Sequence, residues 1–270
     1  MEQPAALLAP DALAARYPRP AHIAPAEWQA RVALAATYRL VARLGLDDMV
    51  YNHISMRVPG TDDQFLLNPY GLLFEEITAS SLVRIDLQGR KLEDTPYEVN
   101  AAGFVIHGAI HSARHDALCV LHTHSDASLA VSAQPAGLLP LSQFAVRFYG
   151  RQGFHDYEGV ALDLGEQQRL VRDIGPHPVL LLRHHGILTV GRTPAEAFML
   201  LYYFDRAARI QLDMQAAAAG GAPLLVPPHA VAEHAARQFW EQDGDILVAG
   251  EREWPGLLRS LDRHDPGYRA

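Results

Sequence analysis

The chain has 270 residues, of which 49% are hydrophobic and 20% charged, as is ordinary for a globular protein of one domain. Its formal net charge is −8 and no basic stripe stands out, which argues against nucleic acid as a partner. No apolar stretch has the length of a membrane span, and residues 1–20 lack the basic start of a signal peptide, so we expect a cytoplasmic protein that binds a small molecule and no membrane.

Predicted helices and short strands alternate through the first half of the chain. Residues 1–24 are predicted to form a loosely structured arm. A proline in the first turn and apolar residues at helical spacing predict a helix over residues 25–46. Asn100 is a typical N-cap and predicts a helix over residues 101–114. Alternating or apolar runs predict strands over residues 54–58, 65–67 and 83–87.

The second half continues the alternation and ends in a polar segment. An apolar run that ends at His122 predicts a strand, and the aromatic, glycine-punctuated residues 143–157 predict strand and loop. Residues 252–270 mix both signs of charge and predict a solvated tail. Further strands are predicted over residues 178–183 and 187–190. Further helices are predicted over residues 125–132, 165–174, 193–219 and 229–242.

The pattern as a whole predicts one domain. No strong linker interrupts the alternation of strands and helices, and no internal repeat divides it. We therefore expect a single α/β domain over residues 25–221. The arm over residues 1–24 precedes it, and a C-terminal helix and tail over residues 222–270 follow it.

Three histidines follow two of the predicted strands. His122 and His124 bracket one threonine where the first strand ends, and His185 follows the second apolar run. Side chains two residues apart share one face of a strand, so His122 and His124 converge, and a neighbouring strand end could bring His185 to the same point. Three nitrogen ligands with an open position are typical of a catalytic divalent metal site, whereas structural histidines are the alternative interpretation. Cys119 is out of phase with His122 and is predicted to lie in the core on the other face.

Six ordered motifs extend over most of the chain, from about Trp28 to Ala219. They are Ile54-Ser55-x-Arg57, Asn68-Pro69-Tyr70-Gly71-Leu72-Leu73, Thr78-Ala79-Ser80-Ser81-Leu82-Val83, Ala102-Gly103-Phe104, His122-Thr123-His124 and His185-Gly186. Together they resemble the class II aldolase/adducin family. The resemblance implies an α/β fold, with a single three-layer α/β/α domain built around a mostly antiparallel central sheet.

The same resemblance implies a cofactor and an assembly. It assigns His122, His124 and His185 to a divalent metal ion, with zinc as the first candidate and manganese, cobalt or iron as alternatives. His184 matches a variable position of the family and is expected to support the ligands without binding metal. The family also implies a four-fold symmetric homotetramer with metal sites near the subunit interfaces.

The elements that hold phosphate in the family's sugar-phosphate aldolases are changed in this chain. Those enzymes have a catalytic acid nineteen positions before the first metal histidine, after a serine pair, and these positions are here Gly103 and Ala101-Ala102. Their Gly-Asn-x-Ser loop is here Asn52-His53-Ile54-Ser55, and their Thr-Pro-Thr-Gly turn is Asn68-Pro69-Tyr70-Gly71. Neutral drift could explain each change alone. The three together predict a different substrate and bring the chain closer to the adducin head domain and its bacterial relatives.

The remaining residues predict a metal-dependent lyase that acts on an unphosphorylated hydroxy-carbonyl or 2-oxo acid by retro-aldol cleavage or decarboxylation. With no acid at position 103, the candidates for proton transfer are His53, Tyr70 and Tyr149. His53 comes first because it replaces a residue of the family's substrate loop and titrates near neutral pH, although a hydrogen-bonded loop histidine is the alternative. The residues predicted to bind substrate are Asn52, Ser55, Arg57 and Gly71.

Several other polar residues are predicted to be structural. Arg57 could be a structural residue at the strand end instead of a substrate ligand. Glu75 and Glu76 are predicted to form a solvated helix start near the Pro69-Tyr70-Gly71 turn. His107, His111 and His115 recur at helical spacing and are predicted to pack on the sheet or at an interface, with His107 able to hydrogen-bond near the metal.

Two other functions fit the same residues. One is a non-catalytic binding or scaffold protein, because the adducin head domain resembles this chain without established sugar-phosphate chemistry. The other is a three-histidine iron oxygenase, because the predicted metal site contains no carboxylate ligand. Bound metal together with cleavage of a carbonyl acid would distinguish the lyase from the scaffold, and oxygen uptake with iron would identify the oxygenase.

Overall fold

The structure is a computed structural model that describes residues 9–160, 163–242 and 245–270. The helices are α1 (Pro10–Arg16), α2 (Pro25–Arg43), α3 (Ala101–Ala113), α4 (Asp126–Ser132), α5 (Gln143–Val146), α6 (Glu166–Ile174), α7 (Pro194–Ala218), α8 (His229–Trp240) and α9 (Trp254–His264). The strands are β1 (His53–Arg57), β2 (Gln64–Leu67), β3 (Val83–Asp86), β4 (Cys119–Thr123), β5 (Gln152–His155), β6 (Val179–Leu182), β7 (Gly186–Gly191), β8 (Glu241–Gln242) and β9 (Asp245–Ile246). Single 3-10 turns lie at Phe74–Glu76 and Pro266–Arg269.

Seven strands form the central sheet in the order β3-β2-β1-β4-β7-β6-β5. All neighbouring strands are antiparallel except β5 and β6, which are parallel. The register places His53 of β1 opposite His122 of β4, and Thr123 of β4 opposite Ile187 of β7. The sheet therefore brings the start of β1, the end of β4 and the start of β7 to one edge, and the predicted mostly antiparallel sheet is confirmed.

Helices cover both faces of the sheet. One face packs against α2, α4 and α7 through a large core cluster that includes Leu121 and Cys119 of β4. The other face packs against α3 and α6 through a second cluster that includes Val120 of β4. Cys119 thus faces away from the side of the sheet that carries His122, as its parity predicts. The predicted three-layer α/β/α arrangement in a single domain is confirmed.

The C-terminal segment is not the solvated tail that its charge pattern predicts. Helix α9 places Leu261 in the large core cluster, and Tyr268 is fully buried there. The backbone of Ala79 donates a hydrogen bond to the Tyr268 carbonyl, which ties the segment to the domain. The prediction was wrong because the mixed charges form ion pairs, such as Arg269 with Asp262, beside an amphipathic face.

Two more local predictions need correction. The arm contains helix α1 (Pro10–Arg16), with Leu13 buried, while residues 1–8 lie outside the described residues. The segment predicted as strand and loop over residues 143–157 contains β5 but begins with helix α5, because the Ser142 side chain caps the first turn. Among the helices of the described residues, none has both the length and the apolar character that a bilayer crossing requires.

Candidate metal centre

The sheet brings the three predicted metal ligands together at one edge. His122 is in β4, His124 follows that strand directly, and His185 lies in the tight turn between β6 and β7. One ring nitrogen of each histidine lies within 4.8 Å of the others. No other group of three or more histidine, cysteine or acidic side chains converges in this way in the described parts of the chain.

Gly186 makes this convergence possible. Its φ is +149°, a conformation that L side chains rarely adopt, and a Cβ atom would lie 2.3 Å from the carbonyl oxygen of Thr123. The β6–β7 turn can therefore approach the end of β4 closely only with glycine at this position. The neighbouring His184 has a φ of +59° and is exposed, which separates it from the histidine cluster.

Hydrogen bonds fix the orientation of two of the imidazoles. His122 Nδ1 donates to the carbonyl oxygen of Ile187 at 2.9 Å, and His124 Nδ1 donates to Asp48 Oδ2 at 2.9 Å. In the neutral form that binds metal, each of these two rings has its hydrogen on Nδ1 and a lone pair on Nε2, and the two Nε2 atoms face each other at 2.9 Å. Two opposed lone pairs repel unless a cation lies between them. The donor set therefore fits a divalent metal ion, with Asp48 orienting His124 in the manner typical of metal sites.

Burial keeps His122 and His185 neutral, which is the form that binds metal. Removal from water and the neighbouring imidazoles lower the pKa of His122 well below its ordinary value. The same two effects lower the pKa of His185 to about 4. Protonation near neutral pH therefore does not compete with a metal ion for these two nitrogens.

A cavity of about 550 Å³ opens beside His124 and His185. The residues that line it are Asp48, Tyr51, His53, Tyr70, Val99, Asn100, Ala101, Ile106, His124, Tyr157, Gly159, Val160 and His185. This lining, drawn from the described residues, contains no lysine, arginine, serine or threonine. The three tyrosines of the lining, Tyr51, Tyr70 and Tyr157, are about half exposed and supply phenol groups.

His53 lies beside the histidine cluster and fills a specific space. Its ring centroid is 4.9 Å from that of His122, and the side chain lines the cavity although it is only 2% exposed. Burial and the imidazoles of His124 and His185 lower its pKa to about 3, so the prediction that His53 titrates near neutral pH was wrong. A Cβ atom at Gly103 would lie 3.0 Å from the His53 ring. The ring thus takes the space beside position 103, where the family resemblance leads one to expect a catalytic acid.

The other predicted site residues lie in different environments. Tyr70 lines the cavity, and Gly71 forms the adjacent turn with a φ of +96°. Ser55 and Arg57 share the His53 face of β1, but each residue of a strand advances about 3.3 Å, so Arg57 lies roughly 13 Å further along. Their side chains bond inside the protein: Ser55 to His107 and His111, and Arg57 to the backbone oxygens of Asp62 and His111.

Asn52 and Tyr149 also lie outside the cavity lining. Asn52 is fully buried, and neither polar atom of its side chain has a hydrogen-bond partner among the described residues. The Tyr149 hydroxyl is 2.9 Å from Nδ1 of His229 on helix α8. The structure of one chain therefore places His53 and Tyr70 in the lining of the cavity beside the histidine cluster, and does not place Tyr149 there.

Sequence reasoning missed several residues of the site. Asp48 carries no motif and is 76 residues away from His124 in the chain, so only the fold reveals their contact. Tyr51 and Tyr157 enter the cavity lining from loops. Among the helical histidines, His107 and His111 face the sheet as predicted, whereas His115 lies beyond the end of α3 and is exposed. Glu75 and Glu76 are exposed, in agreement with a solvated helix start.

Comparison with known proteins identifies the class of protein. The family described as "Class II Aldolase and Adducin N-terminal domain" matches residues 32–212. A crystal structure of an aldolase II superfamily protein from Pseudomonas syringae is 46% identical in sequence, covers 92% of this chain and 98% of that chain, and superposes with a TM-score of 0.85. The chain therefore belongs to the class II aldolase and adducin family.

Two further relatives represent different branches of the family. Alpha-adducin from Rattus norvegicus is 39% identical over 89% of this chain, and the match spans 34% of the adducin. The structure of L-fuculose 1-phosphate aldolase from Glaciozyma antarctica PI12 is 25% identical, covers 95% of this chain and 99% of that chain, and has a TM-score of 0.78. The chain is thus similar both to a sugar-phosphate aldolase and to one part of a larger protein.

Proposed function

We propose that the protein is a metal-dependent carbon–carbon lyase. It performs retro-aldol cleavage or decarboxylation on an unphosphorylated hydroxy-carbonyl or 2-oxo acid. The observation that carries this proposal is the convergence of His122, His124 and His185 beside a cavity of about 550 Å³. Such a volume is within the range of small-molecule sites. Zinc is the first candidate for the metal because it commonly binds three imidazoles, and manganese, cobalt or iron are the alternatives.

The protein contributes ligand geometry and an open approach to the metal. The Ile187 carbonyl and Asp48 orient the rings of His122 and His124, so that the Nε2 lone pairs converge. His122, His124 and His185 would hold a metal ion and would leave it free to bind substrate as well. When bound, a divalent metal acts as a Lewis acid that polarises a substrate carbonyl and stabilises negative charge on its oxygen.

The cavity lining supports an unphosphorylated substrate. A phosphate dianion is usually held by cationic side chains or by several hydroxyl and backbone donors. The described lining has no such cation, and Ala101 stands where the related aldolases have a serine. The phenol groups of Tyr51, Tyr70 and Tyr157 can instead donate hydrogen bonds to hydroxyl or carboxylate oxygens.

His53 is proposed to exchange a proton with the substrate, with Tyr70 as the second candidate. Both side chains line the cavity, and the His53 ring lies beside Gly103, where the acid of the related aldolases is absent. Tyr149 keeps its predicted role only if a neighbouring subunit of the proposed homotetramer places it at this cavity. The other predicted substrate-binding residues are proposed to shape the chain around His53 and Tyr70. They are Asn52, Ser55, Arg57 and Gly71.

The test is a substrate screen with metal-loaded protein. Unphosphorylated 2-oxo and hydroxy acids are compared with L-fuculose 1-phosphate, and products are followed by mass spectrometry and by release of carbon dioxide. The proposal predicts cleavage of a carbonyl acid that stops on chelation and is absent in His185→Ala. Efficient cleavage of the sugar phosphate, or cleavage that survives metal removal, contradicts it.

A non-catalytic binding protein is the second candidate function. The 39% identity with rat alpha-adducin favours it, because that similarity is higher than the 25% identity with the fuculose-phosphate aldolase. Stoichiometric metal without cleavage of any carbonyl acid in the screen would support this candidate over the lyase. Oxygen consumption by the iron-loaded protein in the same screen would point to the oxygenase.

A further inference from the structure

A continuous chain of buried hydrogen bonds leads from the metal centre into the interface between β1 and α3. His53 Nδ1 lies 2.8 Å from His107 Nε2, and His107 Nδ1 is hydrogen-bonded to the Ser55 hydroxyl. The Ser55 oxygen is also 2.7 Å from His111 Nε2, and His111 Nδ1 is 3.0 Å from the Ala117 carbonyl oxygen. The four side chains are at most 2% exposed. The proposed chemistry at the cavity leaves His107 and His111 without a role.

The last bond of this chain determines the direction of all the others. A carbonyl oxygen only accepts, so His111 Nδ1 carries the hydrogen and, in a neutral ring, His111 Nε2 accepts. The Ser55 hydroxyl therefore donates to His111 and accepts from His107 Nδ1. His107 Nε2 is then an acceptor, which requires the hydrogen of His53 to be on Nδ1. The Nε2 atom of His53 is left with a free lone pair.

The surroundings of the three hydrogen-bonded imidazoles favour their neutral forms. Burial is the main cause that lowers the pKa of His111, to about 3, and the nearby Arg57 guanidinium adds to the effect. Burial, His53 and His111 lower the pKa of His107 well below its ordinary value. His53 Nε2 has no hydrogen-bond partner among the described residues, and its side chain lines the cavity.

We propose that His107, Ser55 and His111 are positioning residues that hold His53 in its Nδ1–H tautomer, with the Nε2 lone pair directed to the substrate cavity. The inference rests on the proposed function, because it assigns these residues to the support of proton transfer by His53. A proton taken from the substrate forms a bond to Nε2, and the electron pair of the broken bond stays on the substrate. The Nδ1–H bond to His107 persists in both protonation states of His53.

The direct test is neutron diffraction from crystals of the metal-loaded protein exchanged into D2O. The proposal predicts deuterium on Nδ1 of His53, His107 and His111, and none on His53 Nε2. Deuterium on His53 Nε2 with a bare Nδ1 would overturn it. This readout needs no substrate, so it decides the tautomer even if the proposed lyase activity is not found.

A matched pair of variants tests whether this series of hydrogen bonds matters for catalysis. His111→Gln keeps an acceptor for the Ser55 hydroxyl, whereas His111→Leu removes it at similar side-chain volume. We expect His111→Leu to lower kcat about tenfold or more with KM and metal content unchanged, and His111→Gln to stay within about threefold of the wild type. Ser55→Ala is expected to behave like His111→Leu, with Ser112→Ala on the exposed side of α3 as its control. Equal kcat for His111→Leu and His111→Gln in folded, metal-loaded proteins would overturn the positioning role.

Discussion

Loss of the Asp48 carboxylate is expected to weaken metal binding about tenfold. Asp48 makes one hydrogen bond of 2.9 Å to His124 Nδ1, and partners of this kind typically change metal affinity 10–100-fold. The lower end of that range applies here because the Asp48 side chain is 45% exposed and the His124 side chain 19% exposed, so water partly replaces the lost contact. A tenfold change in Kd corresponds to about 1.4 kcal/mol of binding free energy.

The neighbouring aspartate provides a matched control for this experiment. Asp47→Ala removes the same charge one residue away; of these two aspartates, only Asp48 forms an ion pair with His124 in the described part of the chain. Metal affinity is measured by competition with a chromophoric chelator for the wild type, Asp48→Ala and Asp47→Ala. We expect a Kd about tenfold higher for Asp48→Ala and nearly unchanged for Asp47→Ala. If the two variants bind metal equally well, Asp48 does not orient the ligand and the reasoning is refuted.

Three further predictions concern the turn, the buried histidines and the assembly. Gly186→Ala is expected to destabilise the fold by about 3 kcal/mol and to reduce bound metal, because its Cβ would lie 2.3 Å from the Thr123 oxygen; thermal unfolding and metal analysis check this. In metal-free protein, burial keeps the pKa of His111 at about 3. Between about pH 3 and 6.5, His111 therefore becomes protonated in the unfolded chain but not in the folded one. The free energy of unfolding should therefore fall with decreasing pH. When this free energy is measured by urea titration at several pH values, its change with pH should be smaller for His111→Gln by about 1.4 kcal/mol per pH unit. Light scattering at micromolar concentration is expected to show a homotetramer. A monomer would count against a metal site to which two subunits contribute residues.

Periodicity and parity explain why the core of the site was predictable. The two-residue repeat of a strand assigns His122 and Cys119 to opposite faces, and the sheet has them there. An apolar run before each histidine motif predicts that both strands end at one edge, which the antiparallel pairing of β4 and of β6 with β7 provides. These features depend on local sequence alone, so one amino-acid sequence is sufficient to predict them.

The missing parts depend on contacts between distant segments. Asp48 approaches His124 only because the loop after α2 crosses the edge of the sheet, and no local pattern encodes that path. Ser55 and Arg57 were predicted to bind substrate, but the cavity ends at His53, and no local pattern indicates how far along β1 a cavity extends. The charges of the C-terminal segment suggested solvation because their ion-pair partners could not be recognised from the sequence.

The metal content of variants in the turn between β6 and β7 tests the central claim most directly. Inductively coupled plasma mass spectrometry is applied to the wild type, His185→Ala and His184→Asn after identical purification. His184 is the adjacent, exposed histidine, and asparagine tolerates its left-handed backbone, so this variant is a close control. We predict about one divalent metal per chain in the wild type and His184→Asn, and little or none in His185→Ala. Full metal content in His185→Ala would contradict the proposed three-histidine centre.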